Sequence, residues 1–150
     1  MQLLSAHLSN MAPPTPGTFT TWDDVHHRVA ILDLAPGWDG QMLQRRADSA
    51  GGAWFTFSYA SVDELRRAHD YLAEHMGLSP LEALESEPYI SLFYADPDDN
   101  IFELNTQRIA PEEMDAYFST AAFTTWPPGA PFDADEAAAW ERLGAPGARL

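Results

Sequence analysis

The chain has no cysteine, few basic residues and no apolar run of membrane length, and each shortfall removes a class of function. Without cysteine there is no disulfide, no thiolate metal site and no cysteine nucleophile, and a reducing compartment is permitted. Only 8 Lys and Arg stand against 23 Asp and Glu, giving a formal net charge of -15 at pH 7. That balance opposes binding to nucleic-acid phosphates or anionic lipid, because both need clustered cations. Met1 to Asn10 lacks a basic leader and is broken by His7 before an apolar run reaches signal-peptide length, and no later stretch approaches a membrane span. A soluble, cytoplasmic protein is the expectation, with neither nucleic acid nor membrane as partner. Also missing are a phosphate-cradling glycine loop, a nucleophile elbow and a His-Glu-x-x-His helix. The acidic runs Asp96 to Asp99 and Asp133 to Glu136 lack the alternating ligands and terminal Glu of an EF-hand, and read as a turn and a helix start.

What is present fits one domain: 150 residues with 45% hydrophobic content suffice for a single core. Residues 1–18 carry Pro13, Pro14, Pro16 and Gly17 without a sustained period, which predicts a disordered or loosely attached arm. From Phe19 to Leu34 the pattern predicts a hairpin whose second strand is His27 to Leu32, and Pro36 to Gly52 reads as a connecting loop. Ala53 to Tyr59 is aromatic and β-prone. Ser61-Val62-Asp63-Glu64 then matches a capping box, Val62, Leu65, Ala68, Tyr71, Leu72 and Met76 recur at helical spacing, and Gly77 offers a left-handed cap. After a short segment around Leu81 to Leu84, Tyr89 to Ala95 turns through Asp96 to Asn100 into Ile101 to Leu104. The order is βαβββ, an α+β unit with a curved mixed sheet, preceded by a partial module. Helices are predicted from Pro111 to Phe118 and from Asp133 to Leu143, the latter stopped by Gly144. The domain then spans 19–109 and a helical C-terminal extension spans 110–150.

The segment Ser91 to Leu104 resembles the closing hairpin of vicinal oxygen chelate proteins, the glyoxalase, bleomycin-resistance and extradiol dioxygenase superfamily, where a "YRDPDGNxIEL" pattern is usual. Asp24 to Ala30 resembles the "EHHRIA" strand of the biphenyl-2,3-diol dioxygenase-like branch, and Phe55 to Leu65 its "HVAFTFxSLDEL" strand and helix. Ala110 to Asp133 is similar to that branch's C-terminal extension, so the resemblance runs roughly from residue 19 to residue 143. It implies extradiol-type ring cleavage of an aromatic metabolite at Fe(II) or Mn(II), held by two His and one carboxylate.

Set against that pattern, the triad is depleted. The first His belongs to an opening strand that precedes the start of the resemblance, and His7 is too near His26 to replace it. The second falls at Trp54, whose indole cannot ligate metal. Glu103 matches the carboxylate and is the only recognisable ligand. A substrate-binding Tyr is replaced by Phe93, a His by Ser86, and the turn glycine by Asp99, which implies a positive-φ Asp or a remodelled turn.

Each feature also has a plainer reading. Glu103 serves equally as a solvated, hydrogen-bonded carboxylate. His26 and His27 point to opposite sides of a strand, and His69 and His75 stand roughly 120° apart on a helical wheel, as surface residues would. The sheet aromatics are core or pocket. If a pocket exists, the resemblance, through the place it gives Glu103, implies that Trp54, Thr56, Tyr89, Ser91 and Phe93 line it. The expectation is a dioxygenase-like protein with impaired or absent metal-dependent catalysis, with no cofactor unless Glu103 still serves Fe(II) or Mn(II). The alternative is a metal-free module or pseudoenzyme that holds a small aromatic molecule. An unfinished sheet edge makes a homodimer reasonable.

Overall fold

The computed structural model describes residues 2–8, 15–21, 29–32, 54–118 and 129–145. In chain order the elements are β1 (Gln2–Leu8), β2 (Thr15–Thr21), β3 (Val29–Leu32), β4 (Trp54–Tyr59), α1 (Val62–Met76), β5 (Glu82–Glu85), β6 (Tyr89–Ala95), β7 (Ile101–Gln107), α2 (Pro111–Phe118), β8 (Ala130–Pro131) and α3 (Ala137–Leu143). The α+β class, the βαβββ order and the C-terminal helix follow the sequence reading. Two compact units divide the chain: Met1–Gly40 with Ile109–Pro128, and Gln41–Arg108 with Gly129–Leu150.

The first unit holds an antiparallel sheet of order β1-β2-β3. The stretch expected to be an arm therefore contributes two strands, β1 and most of β2, paired from Gln2↔Thr21 to Leu8↔Thr15. Pro13 and Pro14 fall between the strands, and Pro16 lies just before the β2–β3 register, which starts at Gly17↔Leu32, so no ladder bond to β3 is lost. Helix α2 also belongs to this unit, so the expected extension 110–150 is divided between the two units. The loop from Pro36 to Gly52, His26 and His27 lie outside the described residues.

The second unit is a mixed sheet of order β4-β7-β6-β5-β8, with β4 parallel to β7 and the other pairs antiparallel. Helix α1 starts where the capping box predicts. The Glu64 N–H donates to Ser61 Oγ at 3.2 Å, Ala60 N–H donates to the Glu64 carboxylate at 3.0 Å, and Gly77 ends the helix at φ 64°. One sheet face packs on α1 and α3 through Leu65, Ile90, Leu92, Tyr94, Leu104, Trp140 and Leu143. Each large aliphatic side chain sealed there contributes about 2 kcal/mol. One ion pair links α3 to the sheet, and one hydrogen bond ties it to the turn that precedes it. Trp140 Nε1 donates to Ala134 O at 2.7 Å, and Arg142 Nη1 donates to Glu85 at 2.8 and 2.6 Å. Asp133 to Glu136, expected within the last helix, instead forms a turn in which Asp133 Oδ1 accepts from Asp135 N at 2.9 Å.

Sequence reasoning did not anticipate β8. Phe132 N–H donates to Ala83 O at 3.0 Å, which extends the β5 ladder. A side chain at Gly129, φ 126°, would put its Cβ 2.5 Å from Glu85 O, so glycine is required for the chain to reach that edge. Asp99 adopts φ 62° at the place where the resembling pattern has glycine. The turn is held by Asp96, whose Oδ1 accepts from Asp98 N and Asn100 N at 2.9 and 2.8 Å. Among the described residues, no helix is long and apolar enough to cross a membrane.

Candidate functional site

The sheet face turned away from α1 mixes polar and apolar side chains. Register sets its rows: Trp54, Ile101 and Ala95; Thr56, Glu103, Phe93 and Glu82; Ser58, Asn105, Ser91 and Leu84; and finally Gln107 with Tyr89. Strand alternation therefore brings Thr56, Tyr89, Ser91, Phe93 and Glu103 onto one face. Trp54 opens β4 opposite Ile101, two residues before Thr56. Leu84, Phe93 and Ile101 form a small apolar cluster on this face.

Glu103 is the electrostatic centre, at 9% exposure. Thr56 Oγ1 donates to its Oε2 at 2.7 Å, and Asn105 Nδ2 donates to its Oε1 at 3.4 Å. The Tyr89 phenol is pushed up to about 12, first by burial and then by the negative charge of Glu103. At the far end of the Glu103 row, burial raises the carboxyl pKa of Glu82. A buried carboxylate, a protonated phenol and a buried amide thus share a face whose β4 edge, at Thr56 and Ser58, is exposed. Such a face can accept and donate hydrogen bonds at neutral pH without titrating the phenol.

Asn105 was missed in the sequence. It sits two residues after Glu103, so alternation alone puts it on the same face. It is 6% exposed, and among the described residues its Oδ1 is a buried side-chain atom without a hydrogen-bond partner. Ser86, which takes the place of a His in the resembling pattern, is occupied in the β5–β6 turn: its Oγ donates to Tyr89 O at 3.0 Å and accepts from Tyr89 N at 3.2 Å.

His69 corrects a second expectation. It is buried at 2% exposure rather than a surface residue. Its Nδ1 lies 2.9 Å from Tyr94 Oη, its Nε2 lies 3.4 Å from Asp135 Oδ1, and its ring lies 5.9 Å from that of Trp140. His69 follows Leu65 by four residues, so both face the sheet, whereas the intervening Arg66 and Arg67 mark a solvated surface in sequence. The Tyr94 hydroxyl is shifted upward by burial, with Asp135, Tyr59 and Asp70 adding to the shift. This group lies on the helix-covered face. His75 is exposed, as expected. A shallow cavity of about 310 Å³ lies beside α1, lined by Phe57, Tyr59, Ala68, Tyr71, Leu72, Phe102 and Leu104. It belongs to that same apolar face, away from Glu103, and its lining supplies little chemistry beyond two phenols.

Among the described residues no iron or manganese triad is assembled. Both Glu103 oxygens accept from neutral donors, residue 54 is Trp, and among the described residues no three His, Cys, Asp or Glu side chains cluster. The chain is 31% identical over 126 residues to biphenyl-2,3-diol 1,2-dioxygenase 3 of Rhodococcus globerulus, covering 83% of this chain and 63% of the relative. It is 30% identical over 117 residues to biphenyl-2,3-diol 1,2-dioxygenase 2 of the same organism, covering 77% of this chain and 58% of the relative. It thus spans about six-tenths of the length of these relatives. No family model matches the chain, and no solved structure matches it.

Proposed function

Because this chain is related to the extradiol dioxygenases of the vicinal oxygen chelate superfamily, we propose that its Glu103 face binds a small aromatic molecule bearing hydroxyl groups, without a metal ion. The observation that carries this reading is the state of Glu103. A catalytic carboxylate in such a triad directs an oxygen at the ion, whereas here Thr56 and Asn105 direct donors at both oxygens. Trp at position 54 in place of an imidazole favours the same reading, and Phe93 supplies an apolar surface in the Glu103 row. A buried carboxylate held by neutral donors suits a ligand hydroxyl, because a charge-assisted hydrogen bond is stronger than a neutral one.

The competing reading is an extradiol-type dioxygenase using Fe(II) or Mn(II) on Glu103, as the relatives' names suggest. The two separate in one experiment. Purified protein is incubated anaerobically with Fe(II) or Mn(II), desalted and assayed for metal, with Glu103→Gln as control. Metal at background in both proteins supports the binding module. One ion per chain that disappears in the Gln variant supports the dioxygenase. A homodimer also remains part of the proposal, because β4 forms one edge of the five-stranded sheet and carries the exposed Phe55 and Phe57. A monomeric mass in solution would refute that part.

A further inference from the structure

A strand at the edge of a sheet presents unpaired backbone donors and acceptors, and proteins blunt such edges with charge, proline or brevity. The two edges of the five-stranded sheet differ in this respect. Strand β8 is two residues long and contains Pro131. Strand β4 runs six residues, Trp54–Tyr59, with no charged residue and no proline, and among the described residues no strand pairs with its outer side. Its odd-numbered side chains lie on the α1 side, where Phe55 and Phe57 are 76% and 56% exposed. Phe57 and Tyr59 also line the cavity beside α1, together with Tyr71, Leu72 and Phe102. Charge narrows the choice of partner. A chain of net charge -15 repels an acidic strand, and a basic one meets no carboxylate on β4.

We propose that β4 pairs antiparallel with β4 of a second copy, about a twofold axis at Phe57. This rests on the homodimer reading given above and names the surface that forms it. A twofold axis perpendicular to the sheet keeps both α1 helices on one side, so odd-numbered residues stand opposite odd-numbered ones. Only the register centred on Phe57 gives every aromatic of that side an aromatic partner: Phe57 meets Phe57, and Phe55 meets Tyr59 twice. Centring on Thr56 or on Ser58 leaves one aromatic without another. Such cross-strand aromatic pairs are a main source of sheet stability. Phe55 of the second copy, opposite Tyr59, then covers the mouth of the cavity. On the other side Thr56 faces Ser58 of the second copy, a favourable hydroxyl pair, and the two Glu103 faces join across the axis.

Because the chain has no cysteine, introduced cysteines report the register. Sedimentation of the full chain should give a dimer. Mild oxidation should cross-link Phe57→Cys, since opposite Cα atoms on paired strands lie within disulfide range, and should link Phe55→Cys at least about tenfold more slowly. The double variant Thr56→Cys/Ser58→Cys reads the same register from the other side and should also cross-link. Phe57→Lys, at an exposed position, should keep the wild-type thermal midpoint of the monomer and weaken the dimer at least about tenfold, because two like charges would meet at the axis. A Phe57→Lys dimer as tight as wild type, or Phe55→Cys linking as fast as Phe57→Cys, overturns the assignment and leaves the homodimer standing on another surface. A monomeric wild type instead refutes the homodimer itself, and this surface with it, so the two failures are distinguishable.

Discussion

Thr56 and Glu103 stand opposite each other across the parallel β4–β7 pair, and the threonine hydroxyl donates to the carboxylate at 2.7 Å. The bond ties an edge strand to its neighbour and holds one Glu103 oxygen. Thr56→Val should cost about 1 kcal/mol, at the modest end for a charged acceptor because Thr56 is exposed. Urea unfolding measures this, and an unchanged midpoint would mean the bond is not formed in solution.

Tyr89 gives a pH signature of the same site. Its phenol titrates at about 12 when folded against about 10 when unfolded, so the folded form keeps its proton longer. The contribution to stability is whole below pH 10 and is lost as pH rises through about 12, worth on the order of 2 kcal/mol across that window. Tyr89→Phe should therefore show a shallower alkaline loss of stability than wild type. Glu103→Gln should bring the phenol partway down, because burial is the larger cause. Absorbance titration of the phenolate reads both effects.

On the opposite face, Tyr94→Phe withdraws the hydroxyl that meets His69 Nδ1 and leaves a buried imidazole nitrogen without that partner. A loss of about 1–3 kcal/mol is expected by chemical denaturation. A surface-like effect below about 0.5 kcal/mol would contradict the burial of His69.

Arg142→Met leaves the Glu85 carboxylate, 6% exposed, without its cation. Destabilisation of about 1–3 kcal/mol is expected, reduced because the arginine is half exposed. The double variant with Glu85→Gln should cost less than the sum of the two singles, a coupling that a double-mutant cycle measures.

Local signals were legible where short-range chemistry dominates. Ser61, Glu64 and Gly77 marked both ends of α1, and the Asp96 to Asn100 turn announced the β6–β7 hairpin. Elements made by distant pairing were not. Neither β1 nor the two residues of β8 carry a local pattern strong enough to outweigh nearby prolines, and their partners lie far along the chain. In the site, strand alternation put Thr56, Ser91, Phe93 and Glu103 on one face, and extending it by one step would have found Asn105. The burial of His69 was hidden because its flanking arginines and Asp70 read as a solvated surface.

The central claim is that the Glu103 face holds a hydroxylated aromatic without metal. Calorimetric titration of chelator-stripped protein with biphenyl-2,3-diol, repeated after addition of Fe(II) under oxygen with ring opening followed by absorbance, tests it most directly. The prediction is saturable binding by the stripped protein, weakened at least about tenfold in Glu103→Gln, unchanged by Fe(II) and with no ring-opened product. Binding that requires Fe(II), or turnover once it is supplied, would contradict the account and return Glu103 to the role of metal ligand.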